Sequence, residues 1–270
     1  MKRTSKIFSV LLAAVLLAVI AAAPVSAAME YNLYGFTFTL KNNYESTIIG
    51  YDDSNPNVVI PEQLLERYVT MIDNDAFHND TVISSVDFSN AIYLQTIGVS
   101  AFENCSNLAG ELTLPASLTD IYYSAFQRCT SLTAVNVQGQ VKDLPQWCFN
   151  RCTALTTVSL PDSLETINSL AFGYCSALTY VNIPASVTSI DQYAFFRANN
   201  VTLGVWSDSY GYQYAVANNI PYVLLDAPEP EPEPIPYLIG DATGDGYVNV
   251  RDVTAIQRHV AEFTLLTGVN

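Results

Sequence analysis

The chain has 270 residues, half of them hydrophobic and only 14% charged, so it can bury a sizeable core. Its formal net charge is −15, with 11 Lys and Arg against 26 Asp and Glu. That leaves little from which to build the basic patch that phosphate contact requires, which argues against nucleic acid as a partner. The length allows one elongated domain plus a small module.

The N-terminus reads as a cleavable leader. Lys2, Arg3 and Lys6 precede an apolar run at 7–23, and Val25-Ser26-Ala27 offers small residues at a cleavage point. The run approaches membrane-spanning length, so an uncleaved anchor is the alternative. Pro24 followed at once by the small triplet favours a signal peptide of residues 1–27. After its removal no later segment is apolar enough to span a membrane, and the product is expected to be secreted.

Residues 29–60 read as an N-terminal cap, with strand-like runs at 34–40 and 46–51 and a turn cluster, Asp52-Asp53-Ser54-Asn55-Pro56. Val58-Val59-Ile60-Pro61 then matches the strand-plus-proline part of a repeat. From there a fixed period governs the chain. Phe recurs at Phe77, Phe102, Phe126, Phe149, Phe172 and Phe195, with gaps of 25, 24, 23, 23 and 23 residues. Ala precedes all but Phe149, where Cys148 stands, and Cys105, Cys129, Cys152 and Cys175 follow four of them by three positions. A period of this length means stacked coils in which each turn covers its neighbours' apolar faces.

Within each coil the apolar positions keep phase. Ile83, Leu108, Leu132, Leu155 and Leu178 lie six residues after a Phe. Val135 and Val137, Val158 and Leu160, and Val181 and Ile183 alternate with polar residues, as a strand with one buried face requires. Asn136, Ser159 and Asn182 therefore point the other way. Pro115, Pro161 and Pro184 end these strands by removing a backbone donor. Ile72, Ile97, Ile121, Leu144, Ile167 and Ile190 stand five residues before each Phe. Ala109-Gly110 adds a residue to the second coil, an expected bulge. The fold class is thus an α/β-type repeat solenoid with short strands and turns, advancing roughly 4.8 Å per coil. Its cysteines, four at one repeat position, read as small apolar core residues rather than as disulfides or catalytic thiols.

The pattern Leu-x-x-Val-x-Ile-Pro-x-Ser-Val-x-x-Ile-x-x-x-Ala-Phe-x-x-Cys, followed almost throughout at 178–195, resembles the BspA-like leucine-rich repeat family of bacterial surface and secreted proteins. The resemblance covers roughly residues 46–225 and extends to 209–222, similar to that family's C-terminal cap with its short helix. It implies a binding or adhesion scaffold and fixes no ligand.

The solenoid with its caps is assigned to 28–225 and the segment at 226–238 to a linker. Its alternating Pro and Glu favour an extended polyproline II spacer. A partial module follows at 239–270. Residues 241–252 have the spacing of a twelve-residue calcium loop, whose oxygen ligands fall at positions one, three, five, seven, nine and twelve. These are Asp241, Thr243, Asp245, the Tyr247 carbonyl, Asn249 and Asp252, with Gly246 at the sharp sixth position. Val248 is expected to pin the loop to a core, and Val253, Ile256, Val260 and Phe263 to form the buried stripe of a following helix. Thr243 is a weaker ligand than Asp or Asn, and Asp252 replaces the Glu of a standard EF-hand. Asp at that position, with the run at 240–260, resembles the first half of a type I-like dockerin. The resemblance implies calcium as cofactor and a cohesin module of a scaffoldin or surface protein as partner. It carries the partner contacts onto Val250, Arg251, Gln257 and Arg258.

No catalytic constellation is legible: His78 and His259 join neither a HExxH nor a GxSxG arrangement. The functional expectation is a secreted non-catalytic scaffold held in a cellulosome-like or cell-surface assembly, its repeat surface presenting Asp87, Thr113, Asn136, Ser159 and Asn182 to a protein or glycan. The alternatives are an adhesin with a vestigial tail and an unrecognised carbohydrate-active or carbohydrate-binding protein, for which Tyr122, Tyr123, Trp147 and Tyr180 offer stacking surfaces.

Overall fold

The computed structural model describes residues 29–52 and 54–226 and, toward the C-terminus, 243, 247–249, 251–253, 255, 256 and 258. They fall into two units divided between Asp226 and Ala227. The leader at 1–27 and the linker from residue 227 onward lie outside the described residues. So do Asp241, Asp245, Gly246, Val250, Gln257, His259, Val260 and Phe263.

In the first unit the chain winds as a stack of three-sided coils. One side is a six-stranded parallel sheet of Gly110–Leu114, Leu132–Val137, Thr157–Ser159, Tyr180–Asn182, Thr202–Val205 and Tyr222–Leu224. Asn57–Val59 and Ser85–Asp87 pair at its N-terminal end. The second side holds two-residue strands that carry the isoleucines five positions before each Phe. Thr96–Ile97 and Asp120–Ile121 continue the N-terminal sheet, and Asp143–Leu144, Thr166–Ile167 and Ser189–Ile190 form a separate one. The interruption has a local cause. In the flanking coils the residue after the isoleucine donates its N–H to the preceding coil, as Tyr122 does to Ile97 and Asn168 to Leu144. Pro145 takes that place in the interrupted coil and has no N–H to give.

The third side is the Phe turn. The N–H groups of Phe77, Phe102, Phe126, Phe149 and Phe172 reach the carbonyls of Ala101, Ala125, Cys148, Ala171 and Ala194 at 2.8–2.9 Å. Two residues before and after the Phe the chain turns its corners, and the residues there hold positive φ. Ser100, Ser124, Trp147 and Leu170 occupy the first corner, and Asn104, Arg128, Arg151 and Tyr174 the second, all between 52° and 63°. The repeats contain strands and turns only, so the solenoid is all-β rather than the α/β type expected from sequence.

The six rings stack as the period predicts. Successive Phe centroids lie 4.6, 5.3, 5.4, 5.8 and 5.2 Å apart with interplanar angles of 18° or less. The caps extend the column: Phe36 meets Tyr51, Tyr51 meets Phe77, and Tyr214 closes on Phe195 at 6.2 Å. Each cap solves the problem of an exposed coil end. N-terminally, Glu30–Leu33 and Phe36–Leu40 make a hairpin whose turn residues Tyr34 and Gly35 have φ of 55° and 83°, so Tyr34 turns rather than joining the strand. Glu45–Tyr51 pairs antiparallel with that hairpin and parallel with Arg67–Ile72, converting one geometry to the other. C-terminally, the helix Tyr210–Ala217 starts at Ser209, whose hydroxyl accepts the Tyr212 N–H. Asp226, at the expected start of the linker, stays with this unit by accepting the Ser207 N–H and hydroxyl.

All five cysteines are fully buried free thiols. Four donate S–H to the Phe carbonyl of the preceding coil: Cys105 to Phe77, Cys129 to Phe102, Cys152 to Phe126 and Cys175 to Phe149, at 3.1–3.2 Å. Burial pushes Cys105 and Cys175 up to about 12 and the other three well above the ordinary thiol range. This is packing chemistry, as the spacing implied. The bulge expected at Ala109-Gly110 falls instead on the neighbouring strand: the register shifts between Leu132 and Ala134 opposite Gly110–Glu111, which leaves Thr133 as the unpaired residue. Gly110 beside it has φ of 76°.

Candidate functional site

The strand face arranges its outward residues by register. Thr113, Asn136 and Ser159 are direct neighbours across three strands. Val158 pairs with Val181, which brings Asn182 beside Ser159, and Asn182 in turn faces Gly204. The expected row is therefore present, with Asp87 beyond it, and all but half-buried Asn136 are exposed. Side chains held on a parallel sheet keep their spacing without help from a ligand.

Grooves open at both ends of the row. At the N-terminal end Asp87, Ile92, Glu111, Thr113 and Gln138 line a groove of about 580 Å³. At the other end a smaller one, about 270 Å³, is bordered by Ser159, Asp162, Tyr180, Asn182 and Trp206. Gly204 lies beneath two of its lining side chains, Asn182 and Tyr180. A methyl group there would collide with the Asn182 carboxamide oxygen and the Tyr180 hydroxyl, which converge over the glycine. Trp206 and Gly204 gave no signal in the sequence, because they lie in the degenerate last coil. A third groove, about 520 Å³ and lined by Thr119, Asp120, Tyr122, Lys142 and Asp143, sits where Pro145 interrupts the short-strand ladder.

The four aromatics expected to stack on sugars are exposed at three separate places, with Tyr123 next to Tyr122 in the chain. Tyr180 borders the strand-face groove, Tyr122 the ladder break, and Trp147 stands at a corner of the Phe turn. His78 lies 3.6 Å from Asp75 and 4.0 Å from Glu103, at the N-terminal end of the turn side. Among the described residues no three His, Cys, Asp or Glu side chains gather as a metal site would require.

In the second unit Asp252 is the hub. It is 1% exposed, its Oδ1 accepts the Thr243 N–H and hydroxyl at 3.0 and 2.8 Å, and its Oδ2 accepts the Asn249 N–H at 2.6 Å. Loop positions three, nine and twelve are thus drawn to one carboxylate. Thr243 Oγ1, the Tyr247 carbonyl, Asn249 Oδ1 and the Asp252 carboxylate are all oxygen donors, the ligand chemistry a hard cation takes, and Asn249 Oδ1 accepts the Arg251 N–H at 2.9 Å. These residues fit calcium in kind. Arg251 and Arg258 are exposed. Val248, Val253 and Ile256 leave about half of their surface uncovered, so neither the expected anchor nor the buried stripe forms at these positions.

Comparison with known proteins agrees with this architecture. Residues 70–202 match the model of the BspA type leucine rich repeat region in six copies. The structure resembles a leucine rich cell surface protein of Faecalibacterium prausnitzii, with a TM-score of 0.50 and 26% identity over 69% of this chain. The chain spans 56% of that protein's length. A leucine rich repeat protein of T. pallidum shares the fold at TM-score 0.53 and 23% identity, over 66% of this chain and 86% of its own. One from Eubacterium ventriosum does so at 0.50 and 22%, over 62% of this chain and 49% of its own. Among curated proteins none matches. Residues 70–202 are a leucine-rich repeat region of the BspA type, folded as one continuous solenoid.

Proposed function

We propose that this chain is an exported, non-catalytic binding scaffold whose solenoid presents a recognition surface while its tail docks it to a cell-surface or cellulosome-like assembly. The observation that carries the scaffold reading is the strand face. Outward side chains 23 residues apart in sequence stand in fixed register, with a groove at each end of the row and no buried ionisable pair poised for chemistry among the described residues. The cell-surface protein of F. prausnitzii lends the location its support.

The docking half of the reading rests on Asp252 and the loop it gathers. Asp241, Thr243, Asp245, Tyr247, Asn249 and Asp252 would hold a calcium ion, whose charge would draw their oxygens together. Ordering that loop sets Val250, Arg251, Gln257 and Arg258 for a cohesin. The test is capture by a panel of cohesin modules in calcium and in chelator. Binding that chelator or Asp252→Ala abolishes supports docking. Absence of any calcium-dependent capture leaves the solenoid as an adhesin in its own right.

The groove beside Trp206 favours a second reading, carbohydrate binding. An aromatic plane edged by Tyr180, Asn182, Ser159 and Asp162 offers a sugar one stacking face and several hydroxyl partners. The chain has two tryptophans, so Trp147→Phe leaves Trp206 as the single reporter. Saturable spectral change with a neutral oligosaccharide, absent in Gly204→Ala, identifies the groove as the sugar site.

A further inference from the structure

The turn side carries a charge pattern that neither the repeat core nor the strand face explains. Its last four coils contribute residues 123–131, 146–154, 169–177 and 192–200. In a chain with 26 acidic residues, these segments contain no Asp, Glu or Lys and three arginines, Arg128, Arg151 and Arg197. The first two coils differ, with Asp75, Asp80 and Glu103 on the same side. The arginines occupy one repeat position, two after the Phe, together with Tyr174. Coil-to-coil hydrogen bonds align them: the Arg128 N–H reaches Asn150, that of Arg151 reaches Gly173, and that of Tyr174 reaches Phe196.

The backbone gives no reason for arginine there. This position holds φ of 60° at Arg128, 63° at Arg151 and 64° at Arg197, a region that disfavours side chains other than Asn and Gly. The first two coils place Asn79 and Asn104 at the same position, each with φ of 61°. Asparagine is thus the conformational solution, and arginine is kept at a conformational cost. The guanidiniums also lack anionic neighbours: among the described residues no carboxylate pairs with any of the three. Arg151 instead lies 5.0 Å over the Tyr174 ring and Arg197 5.6 Å over Phe196. Tyr174 and Tyr193 both meet Phe196 edge-on, which joins Arg151, Tyr174, Tyr193, Phe196 and Arg197 in one aromatic and cationic strip, with Arg128 one coil before Arg151.

We propose that this strip binds a linear anionic polysaccharide, laid across the coils, with carboxylate or sulfate groups on the arginines and sugar faces on Tyr174 and Phe196. Three features select that ligand. Guanidinium forks pair with planar or tetrahedral oxyanions in bidentate fashion. Coils advance by about 4.8 Å, close to the advance of one pyranose in an extended chain, so successive anionic sugars meet successive coils. Through Tyr174 the backbone N–H groups at both corners and at the Phe are already bonded to the next coil, which leaves an extended peptide no ladder to join in those coils. Three cations are also too few for nucleic acid, whose binders engage roughly 6–10 phosphates.

The test uses the full chain and the variant Arg128→Asn/Arg151→Asn/Arg197→Asn, which installs the residue the first two coils already use. Affinity for heparin and for polygalacturonate is measured at low and moderate salt, with neutral dextran and poly-L-glutamate as comparisons. The expected result is binding to at least one of the two polysaccharides, weakened by salt and reduced about tenfold or more in the triple variant, with a melting temperature no lower than that of the unsubstituted chain. Tyr174→Ala weakens it further, and Gly204→Ala on the strand face leaves it intact, so this outcome is separable from that of the groove. Failure of both polysaccharides at low salt overturns the proposal, as does equal binding by the triple variant. Poly-L-glutamate binding as tightly, with the same variant dependence, overturns it in favour of an acidic protein.

Discussion

The strand face and the turn side are made by the same 23-residue coil and meet solvent in different ways. On the strand face, alternation does the work: Val135 and Val137 point in, Asn136 points out, and any polar residue fits the outward position. The outward set there is neutral or acidic. On the turn side the chain corners twice around the Phe, and the outward residues sit at positive φ, where most side chains are disfavoured. At the second corner of the last four coils the residues found there are three arginines and Tyr174. Variation is free on the first surface and costly on the second, so an unusual composition carries more meaning on the turn side.

The strongest way to break the comparison is to remove what both surfaces share. Phe149 lies mid-column, fully buried between Phe126 and Phe172. Phe149→Ala is expected to cost about 3–5 kcal/mol, read from denaturant unfolding, and to weaken strand-face and turn-side binding together. Loss at one surface with the other intact would mean that the coils do not share one core.

A second prediction sharpens the comparison, because the thiols lie under the turn side. Their folded values are raised, to about 12 for Cys105 and Cys175. The unfolded chain therefore releases its thiol protons first, and stability falls as pH rises from the ordinary thiol value toward about 12, by about 1.4 kcal/mol per pH unit for each buried thiol. Melting temperature should be flat below pH 8 and decline above it, with a shallower decline in Cys152→Ala. A slope that ignores cysteine number would count against neutral core thiols.

The smallest effect concerns the corners. Arg151→Gly relieves the positive φ at one corner and raises the flexibility of the unfolded chain, two opposing effects of about 1 kcal/mol each. Thermal melting is expected to move by only a degree or two, while anionic polysaccharide binding falls. A large loss of stability would show that Arg151 is a structural residue after all.

Much of this molecule was legible before folding. The Phe spacing, the strand alternation, the terminating prolines and the capping helix at 209–222 all recur in the structure. They were legible because burial imposes the same residue type at the same phase in every coil. The misreadings have local causes. Tyr34 looked like a strand residue, yet its pairing with Gly35 makes a turn. Pro145 drew no reading in the sequence, yet it removes the N–H that joins adjacent short strands. Val253 and Ile256 have helical spacing, which says that a face is apolar but not that anything covers it.

Sequence alone therefore determined the period, the stacked ring column, the inward thiols and the candidate oxygen ligands from Asp241 to Asp252, since each depends on spacing within one coil or one loop. Only the tertiary structure decided which outward residues become neighbours. Arg151 meets Tyr174, Asn182 faces Gly204 and Trp206 edges a groove because coils 23 residues apart in the chain lie one strand spacing apart in space. Contacts of that range are written in no single repeat. They exist once the stack has formed.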